Sequence, residues 1–188
     1  MNPGNETATT TGPVRGKPRI VILGGGFAGA YCAQALERRM RREEAEIILI
    51  DAHNYFVFTP LLVEAGTGGV EPRHCVVSIR SFLKRAAFRQ GEVTGVDVEK
   101  REVAYRPPRH DSSRSVDFDH LVLAMGSVTR MPDVSGLAEH GHEIKSLTDA
   151  VALRDRAIEM LEAANLEPDP ARRRSMLHFV VVGGNYTG

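Results

Sequence analysis

Apolar positions in this chain fall into short blocks with two periods. Ile20-Val21-Ile22-Leu23 is an unbroken, mostly β-branched run, the pattern of a strand covered on both faces. After a glycine turn, residues 28–42 are free of proline and rich in helix formers, which predicts a helix. Glu46-Ile47-Ile48-Leu49-Ile50 repeats the strand pattern and ends in Asp51. Residues 54–69 are aromatic and apolar, then glycine-rich, with no clear period, and read as a buried loop with core aromatics. Residues 76–85 predict a short helix with Ile79, Phe82 and Leu83 inward. Two strands follow, 92–98 and 101–106, with a tight turn at Glu99-Lys100 and an exposed hairpin tip over 107–115. Residues 118–126 read as another buried apolar strand ending in glycine, and 127–142 as an irregular connection. Ser146-Leu147-Thr148-Asp149 opens a helix with Ser146 as N-cap. Ala150, Val151, Leu153, Ala157, Ile158 and Leu161 recur at helical spacing through Ala164. Residues 165–174 read as a loop or linker, and 177–182 as a β-branched strand running into Gly183 and Gly184.

The first glycine turn carries the candidate chemistry. Gly24, Gly26 and Gly29 fit G-x-G-x-x-G between a strand and a helix. The first glycine allows the tight turn, the second lets a pyrophosphate approach the backbone, and the third lets helix and strand pack closely. The helix start offers unpaired N–H groups and the positive end of its dipole. Asp51 follows about twenty residues later, where a carboxylate would meet the ribose hydroxyls of a dinucleotide. The strand and glycines at 177–188 repeat this opening, which predicts a second dinucleotide site and marks the chain as the amino-terminal part of a longer protein. Two such sites imply two carriers exchanging a hydride.

Composition narrows the rest. The 188 residues include 24 Lys plus Arg and 24 Asp plus Glu, so there is no basic field to collect nucleic acid. Two cysteines, Cys32 and Cys75, are too few for a disulfide framework and point to a reducing compartment. Residues 1–16 are polar, lack the features of a signal peptide and read as a disordered tail. The longest uncharged stretch, 20–36, is too short and too glycine-rich for a membrane span. There is no G-x-S-x-G elbow, no H-E-x-x-H and no paired-cysteine zinc pattern. His74, His140 and His142 read as surface residues.

These stretches together resemble the two-dinucleotide-binding flavoproteins, and within them the type II NADH:quinone oxidoreductases. Four stretches carry the resemblance: 22–29; 54–62 with Ala65-Gly66-Thr67-Gly68, the most specific; 118–127; and Leu147-Thr148-Asp149-Ala150 with its helix, leading to Val180-Val181-Val182-Gly183-Gly184. It implies an α/β fold: a Rossmann-like FAD-binding domain, a parallel sheet with helices and a small antiparallel β insertion, cut at the start of a second Rossmann-like NADH domain. The implied divisions are a tail over 1–17, the FAD domain over 18–165, a linker over 166–176 and the NADH domain from 177 to 188. Gly24, Gly26, Gly29 and the amides of Phe27 and Ala28 would then face the FAD pyrophosphate, and Asp51 the ribose. Val93 would lie beside the adenine. Ala124, Met125 and Gly126 would close over the cofactor, and Pro60 and Leu61 would lie near the isoalloxazine. Gly183, Gly184 and Gly188 would start the NADH site.

The implied reaction passes a hydride from NADH to FAD and electrons on to a quinone. No side chain is assigned a catalytic role. The implied setting is the cytoplasmic inner face of a membrane, with a homodimer as the assembly and membrane contact through a later part of the chain. Met125 replaces the threonine usual between alanine and glycine, tolerable if the backbone does the binding. Asn185 replaces the middle glycine of the second motif. Disulfide reductases share the architecture but carry a redox cysteine pair, and residues 59–70 contain no cysteine. A ferredoxin or rubredoxin reductase, or a flavin-binding redox sensor or remnant without turnover, stays open beside the quinone reductase.

Overall fold

A computed structural model of the protein describes residues 16–184. The tail expected over 1–17 lies almost wholly outside the described residues, as do Asn185 and Gly188. In order, β1 (Arg19–Leu23) leads through the glycine turn into α1 (Phe27–Arg39) and β2 (Glu46–Asp51). Next come β3 (Tyr55–Val57), a 3-10 turn (Thr59–Leu61), α2 (Leu62–Gly66), a second 3-10 turn (Pro72–Cys75), β4 (Val76–Ser78) and α3 (Ile79–Phe82). β5 (Ala87–Gln90), β6 (Glu92–Asp97), β7 (Glu102–Arg106), β8 (Arg114–Asp117) and β9 (His120–Leu123) follow. The helices α4 (Leu137–His140), α5 (Leu147–Leu166) and α6 (Pro170–Met176) complete the described chain.

A parallel four-stranded sheet, ordered β5-β2-β1-β9, is the centre. Its inner strands are covered on both faces, which explains their unbroken apolar runs. Ile20, Ile22, Ile47 and Leu49 pack with Ala30 and Ala33 of α1 on one face. Val21, Leu23, Ile48 and Ile50 pack on the other face against Val103, Tyr105, Val116 and Phe118, from the antiparallel sheet β6-β7-β8 and the residue after it. Each fully buried Ile or Leu contributes about 1.5–3 kcal/mol, so these two strands hold the layers together. The β6-β7-β8 sheet is the antiparallel insertion that the resemblance implies.

At the base of the sheet, Arg19 joins three strands. Its Nε donates to Glu46 Oε2 at 2.7 Å and its Nη1 to Asp117 Oδ1 at 2.6 Å, while its backbone N–H donates to Asp119 Oδ2 at 2.6 Å. Behind the sheet, Glu37 of α1 accepts backbone N–H groups from Lys84 (3.1 Å), Arg85 (2.6 Å) and Ala86 (2.5 Å). The Arg85 side chain in turn donates to the carbonyls of Glu37 and Met40, orphan acceptors at the end of α1. This two-way clasp fixes the segment that feeds β5.

Several elements differ from the sequence reading. α1 ends at Arg39, because Met40 is extended (φ −107°, ψ 146°), so Arg41 and Arg42 lie beyond it. Residues 54–69 are an ordered β3, 3-10 turn and α2 rather than a loop, because β3 pairs with β4. Only Phe56 of the aromatics at 55, 56 and 58 is fully buried. That same pairing makes 76–78 a strand, and the helix expected over 76–85 shrinks to α3; Ile79 and Leu83 are buried as expected. β9 was read as a buried strand but forms a sheet edge, with Leu123 65% exposed.

Residues 165–174 are not a loop: α5 runs to Leu166, and Asp169 caps α6 by accepting from Ala171 N at 2.9 Å. Ile158 and Leu161, which recur at helical spacing on α5, are exposed. Residues 177–182 form no strand, since nothing among the described residues pairs with them; Val180, Val181 and Val182 are 74%, 64% and 63% exposed. β5 and β8 were not foreseen. Ser146 and Asp149 do form a reciprocal capping box on α5.

Candidate functional site

β1 is flanked by β2 on one side and β9 on the other, so the strand order reverses at β1. Such a switch point opens a crevice outside the strand ends, where α/β sheets bind ligands. Gly24, Gly26, Gly29, Asp51 and Ala124 all gather there.

The glycines in this turn are needed for different reasons. Gly24 has φ +101°, a left-handed conformation, and a Cβ on it would overlap the Ala124 carbonyl. Its N–H donates to Ile50 O at 2.8 Å, and Ala124 N–H donates to Leu23 O at 2.8 Å, locking the turn between β2 and β9. A Cβ on Gly29 would fall far inside 3.0 Å of the Gly24 carbonyl oxygen. Gly25, a position the motif treats as free, is also closed: its Cβ would stand 2.6 Å from Ile79 Cδ1 and 3.3 Å from Asp51 Oδ2. Gly26 stands apart. It is the N-cap of α1, with φ −73° and ψ −165°, and a Cβ there meets nothing within 4 Å.

Asp51 ends β2 beside this turn. Its Oδ2 accepts the Gly25 N–H at 2.5 Å, and its Oδ1 accepts the His53 N–H at 2.7 Å. A carboxylate has about four acceptor sites, so two carry no hydrogen bond from the described residues, with the His53 Nδ1 standing 3.7 Å from Oδ1 at a partly exposed group. The start of α1 presents the exposed Phe27 and Ala28. The Phe27 ring lies 4.9 Å from that of Phe56, edge to face, and 5.6 Å from that of Phe58. These contacts tie the helix start to the segment that carries Pro60 and Leu61. That segment is held from beneath by Cys75, whose carbonyl accepts Phe58 N–H at 2.8 Å and whose thiol donates to Leu61 O at 3.6 Å. Burial, and then the Glu64 charge, push the Cys75 thiol pKa up.

Val93 is half-buried on β6 against the second core layer. Met125 and Gly126 lie exposed just past β9, with Gly126 at φ +73°. Gly183 and Gly184 lie on the exposed, unpaired segment, where no atom comes within 4 Å of either Cβ position. The structure therefore brings the glycine turn, Asp51 and Ala124 into one site and leaves Gly183 and Gly184 open. The sequence reading missed Gly25 and the aromatic cluster on Phe27. Gly25 has no sequence signal, because its constraint comes from Ile79, far along the chain. His74, His140 and His142 are exposed as expected, and no cluster of metal-ligating side chains occurs among the described residues. Nor is any described helix long and apolar enough to cross a membrane.

The site has close relatives. The chain is 34% identical to the mitochondrial external alternative NAD(P)H-ubiquinone oxidoreductase B3 of Arabidopsis thaliana, an alignment covering 100% of this chain and 32% of that protein. It is 30% identical to the mitochondrial external alternative NADH-ubiquinone oxidoreductase of Yarrowia lipolytica, over 92% of this chain and 30% of that one. Among solved structures it resembles NDH2 of Plasmodium falciparum in complex with NADH, with TM-score 0.72 and 25% identity over 84% of this chain and 32% of that chain. The chain thus spans about a third of the length of the curated relatives it matches. Residues 18–188 match the family described as pyridine nucleotide-disulphide oxidoreductase, and the chain belongs to that family.

Proposed function

We propose that this chain is the FAD-binding part of an NADH:quinone oxidoreductase. One observation carries the cofactor assignment. Gly24, Gly25 and Gly29 are glycine because the protein's own atoms crowd them, whereas Gly26 faces open space at the start of α1. A Cβ there would fill the place where a pyrophosphate meets the helix N-terminus, so the ligand accounts for the one glycine of this turn that the fold does not.

The residues present fit FAD. Gly26, Phe27 and Ala28 would offer backbone N–H groups to the pyrophosphate, and the open acceptor sites of Asp51 would take the ribose hydroxyls. Val93 would border the adenine. Ala124, Met125 and Gly126, with Pro60 and Leu61, would bound the flavin end. When bound, FAD supplies a carrier that accepts a hydride and releases its electrons to a second acceptor. The chain's own contribution is to bind, orient and exclude water, with no side-chain acid or base.

NADH as donor, with Gly183, Gly184 and Gly188 opening its site, and quinone as acceptor rest on the relatives' names and on the motif at 183–188. A homodimer at the inner face of a membrane belongs to the same proposal and rests on the family resemblance alone; the relatives' names add only that those proteins are mitochondrial. The test is anaerobic. Protein reconstituted with FAD and desalted should retain flavin. In the complete protein, that flavin should bleach on adding NADH and recover on adding a soluble ubiquinone analogue. Failure to retain flavin would sink the cofactor assignment. Flavin that bleaches but recovers only with ferredoxin or rubredoxin would sink the quinone assignment.

A further inference from the structure

At the open edge of β5, whose Gln90 pairs with Asp51, lies a groove of about 450 Å³. Arg80 of α3, Arg89 of β5 and Arg114 of β8 line it, together with Phe88, Gln90 and Tyr105. No acidic side chain lines it, and neither do Gly24, Gly26, Gly29, Asp51 or Val93. We propose that this groove is a second site, which binds a phosphate-bearing anion.

Arg80, Arg89 and Arg114 come from three separate elements, and none forms an ion pair among the described residues. The Arg80 guanidinium stands 4.7 Å over the Phe88 ring centroid, a cation–π contact that fixes its direction without neutralising it. Arg114 lies directly opposite Tyr105 in the β7–β8 ladder. Gln90 is anchored by its side-chain amide, which donates to Ala52 O at 3.0 Å. Like charges gathered in one groove repel, and an anion between them relieves that repulsion. Guanidinium groups meet phosphate oxygens through paired, parallel hydrogen bonds. A phosphate has enough oxygens for three such groups at once, which a carboxylate does not. The ligand chemistry is therefore a phosphate ester or phosphoanhydride, from a soluble metabolite or an anionic lipid headgroup.

The probe is inorganic pyrophosphate, titrated calorimetrically into the purified protein at low salt. With the glycine turn filled by FAD, wild type should still bind it. A variant carrying Arg80→Gln, Arg89→Gln and Arg114→Gln should bind it about tenfold or more weakly. Arg80 and Arg114 are exposed, so Arg80→Gln and Arg114→Gln alone keep the test valid if the triple variant fails to fold; each should weaken binding measurably with an unchanged circular dichroism spectrum. Sedimentation with vesicles of equal parts phosphatidylcholine and phosphatidylserine separates the sources. Vesicle binding that is lost in the triple variant assigns a lipid headgroup. Pyrophosphate binding without vesicle binding assigns a soluble phosphate. Arginine variants that bind pyrophosphate as tightly as wild type, or binding that saturation with FAD abolishes, would overturn the proposal. That second outcome places the anion at the glycine turn and leaves the FAD assignment standing.

Discussion

Replacing Gly26 by alanine separates the ligand from the fold. The backbone there, at φ −73° and ψ −165°, is open to any L-residue, and the added methyl meets nothing within 4 Å. Removing a glycine from the unfolded chain stabilises by about 0.4–1 kcal/mol. Losing a glycine from an N-cap costs a similar amount at most. The two nearly cancel, so the urea midpoint of the apo-protein should move little, by about 0.5 kcal/mol or less in stability.

Binding should behave differently. A phosphate oxygen that accepts from a backbone N–H sits about 2.7–3.2 Å from the nitrogen. A methyl carbon holds an oxygen off at about 3.3 Å or more. With the methyl in the approach path, two charge-assisted hydrogen bonds are lost, each worth about 1.5–3 kcal/mol. FAD affinity should therefore fall by about two to four orders of magnitude. The assay is titration of apo-protein with FAD, followed by quenching of flavin fluorescence, alongside urea unfolding watched by circular dichroism. Gly29→Ala is the contrast: its Cβ would run into the Gly24 carbonyl, a backbone atom that cannot rotate away. That variant should lose about 3 kcal/mol or more of stability. If Gly26→Ala kept wild-type FAD affinity with an intact fold, or unfolded as Gly29→Ala does, the division of labour among these glycines would be wrong.

Asp51→Ala should weaken FAD binding about tenfold to a hundredfold, from loss of a hydrogen bond to a charged group. It should also lower the melting temperature, because Asp51 accepts from the Gly25 and His53 N–H groups; unchanged flavin retention on dialysis would remove it from the ribose site. Glu37→Ala orphans three backbone N–H groups before β5 and should cost about 2–3 kcal/mol in urea unfolding, with Glu37→Gln recovering part. At Asp149, burial raises the pKa, but the Ser146 hydroxyl and the Ser146 and Lys145 N–H groups outweigh it and hold the pKa below 3.8. Its stabilising contribution is therefore present above pH 3.8 and is lost as pH falls from there through the lowered folded value. Melting curves of wild type and Asp149→Asn should differ at neutral pH and converge in that acid range.

The elements legible in sequence were those whose stability is local or whose burial is complete. β1, α1, β2 and Asp51 follow from two unbroken apolar runs and the glycine spacing. β5 was hidden because Ala87-Phe88-Arg89-Gln90 holds a single large apolar residue. As an edge strand it is held by its ladder with β2 and by the Glu37 clasp, neither of which leaves a mark on its own sequence. Residues 177–182 err in the opposite direction. Their β-branched run is strand-like, but a strand exists only as a partner in a ladder, and the described residues supply none. α6 carried a readable signal, an Asp cap followed by proline at the first helical position, masked by reading Pro168 and Pro170 as loop formers.

The glycine turn shows why such a motif is weak alone and informative in context. Gly24, Gly25 and Gly29 are required by Ala124, Ile79 and the turn's own carbonyl, so their presence attests to a strand–turn–helix and to nothing bound on it. Only Gly26, where a Cβ would meet nothing within 4 Å, points outward to a ligand. The same reasoning bears on Met125, where the family resemblance implies threonine. The atoms that wall in Gly24 are the Ala124 carbonyl and the Met125 Cα, all backbone, while the Met125 side chain is exposed. The fold asks nothing of that side chain, so the departure leaves the turn intact. Whether it alters the cofactor depends on the flavin end of the site rather than on the pyrophosphate, and Met125→Thr should accordingly shift the bound flavin's absorbance or reduction potential while leaving its affinity within about threefold. A large loss of affinity in that variant would mean that residue 125 binds through its side chain.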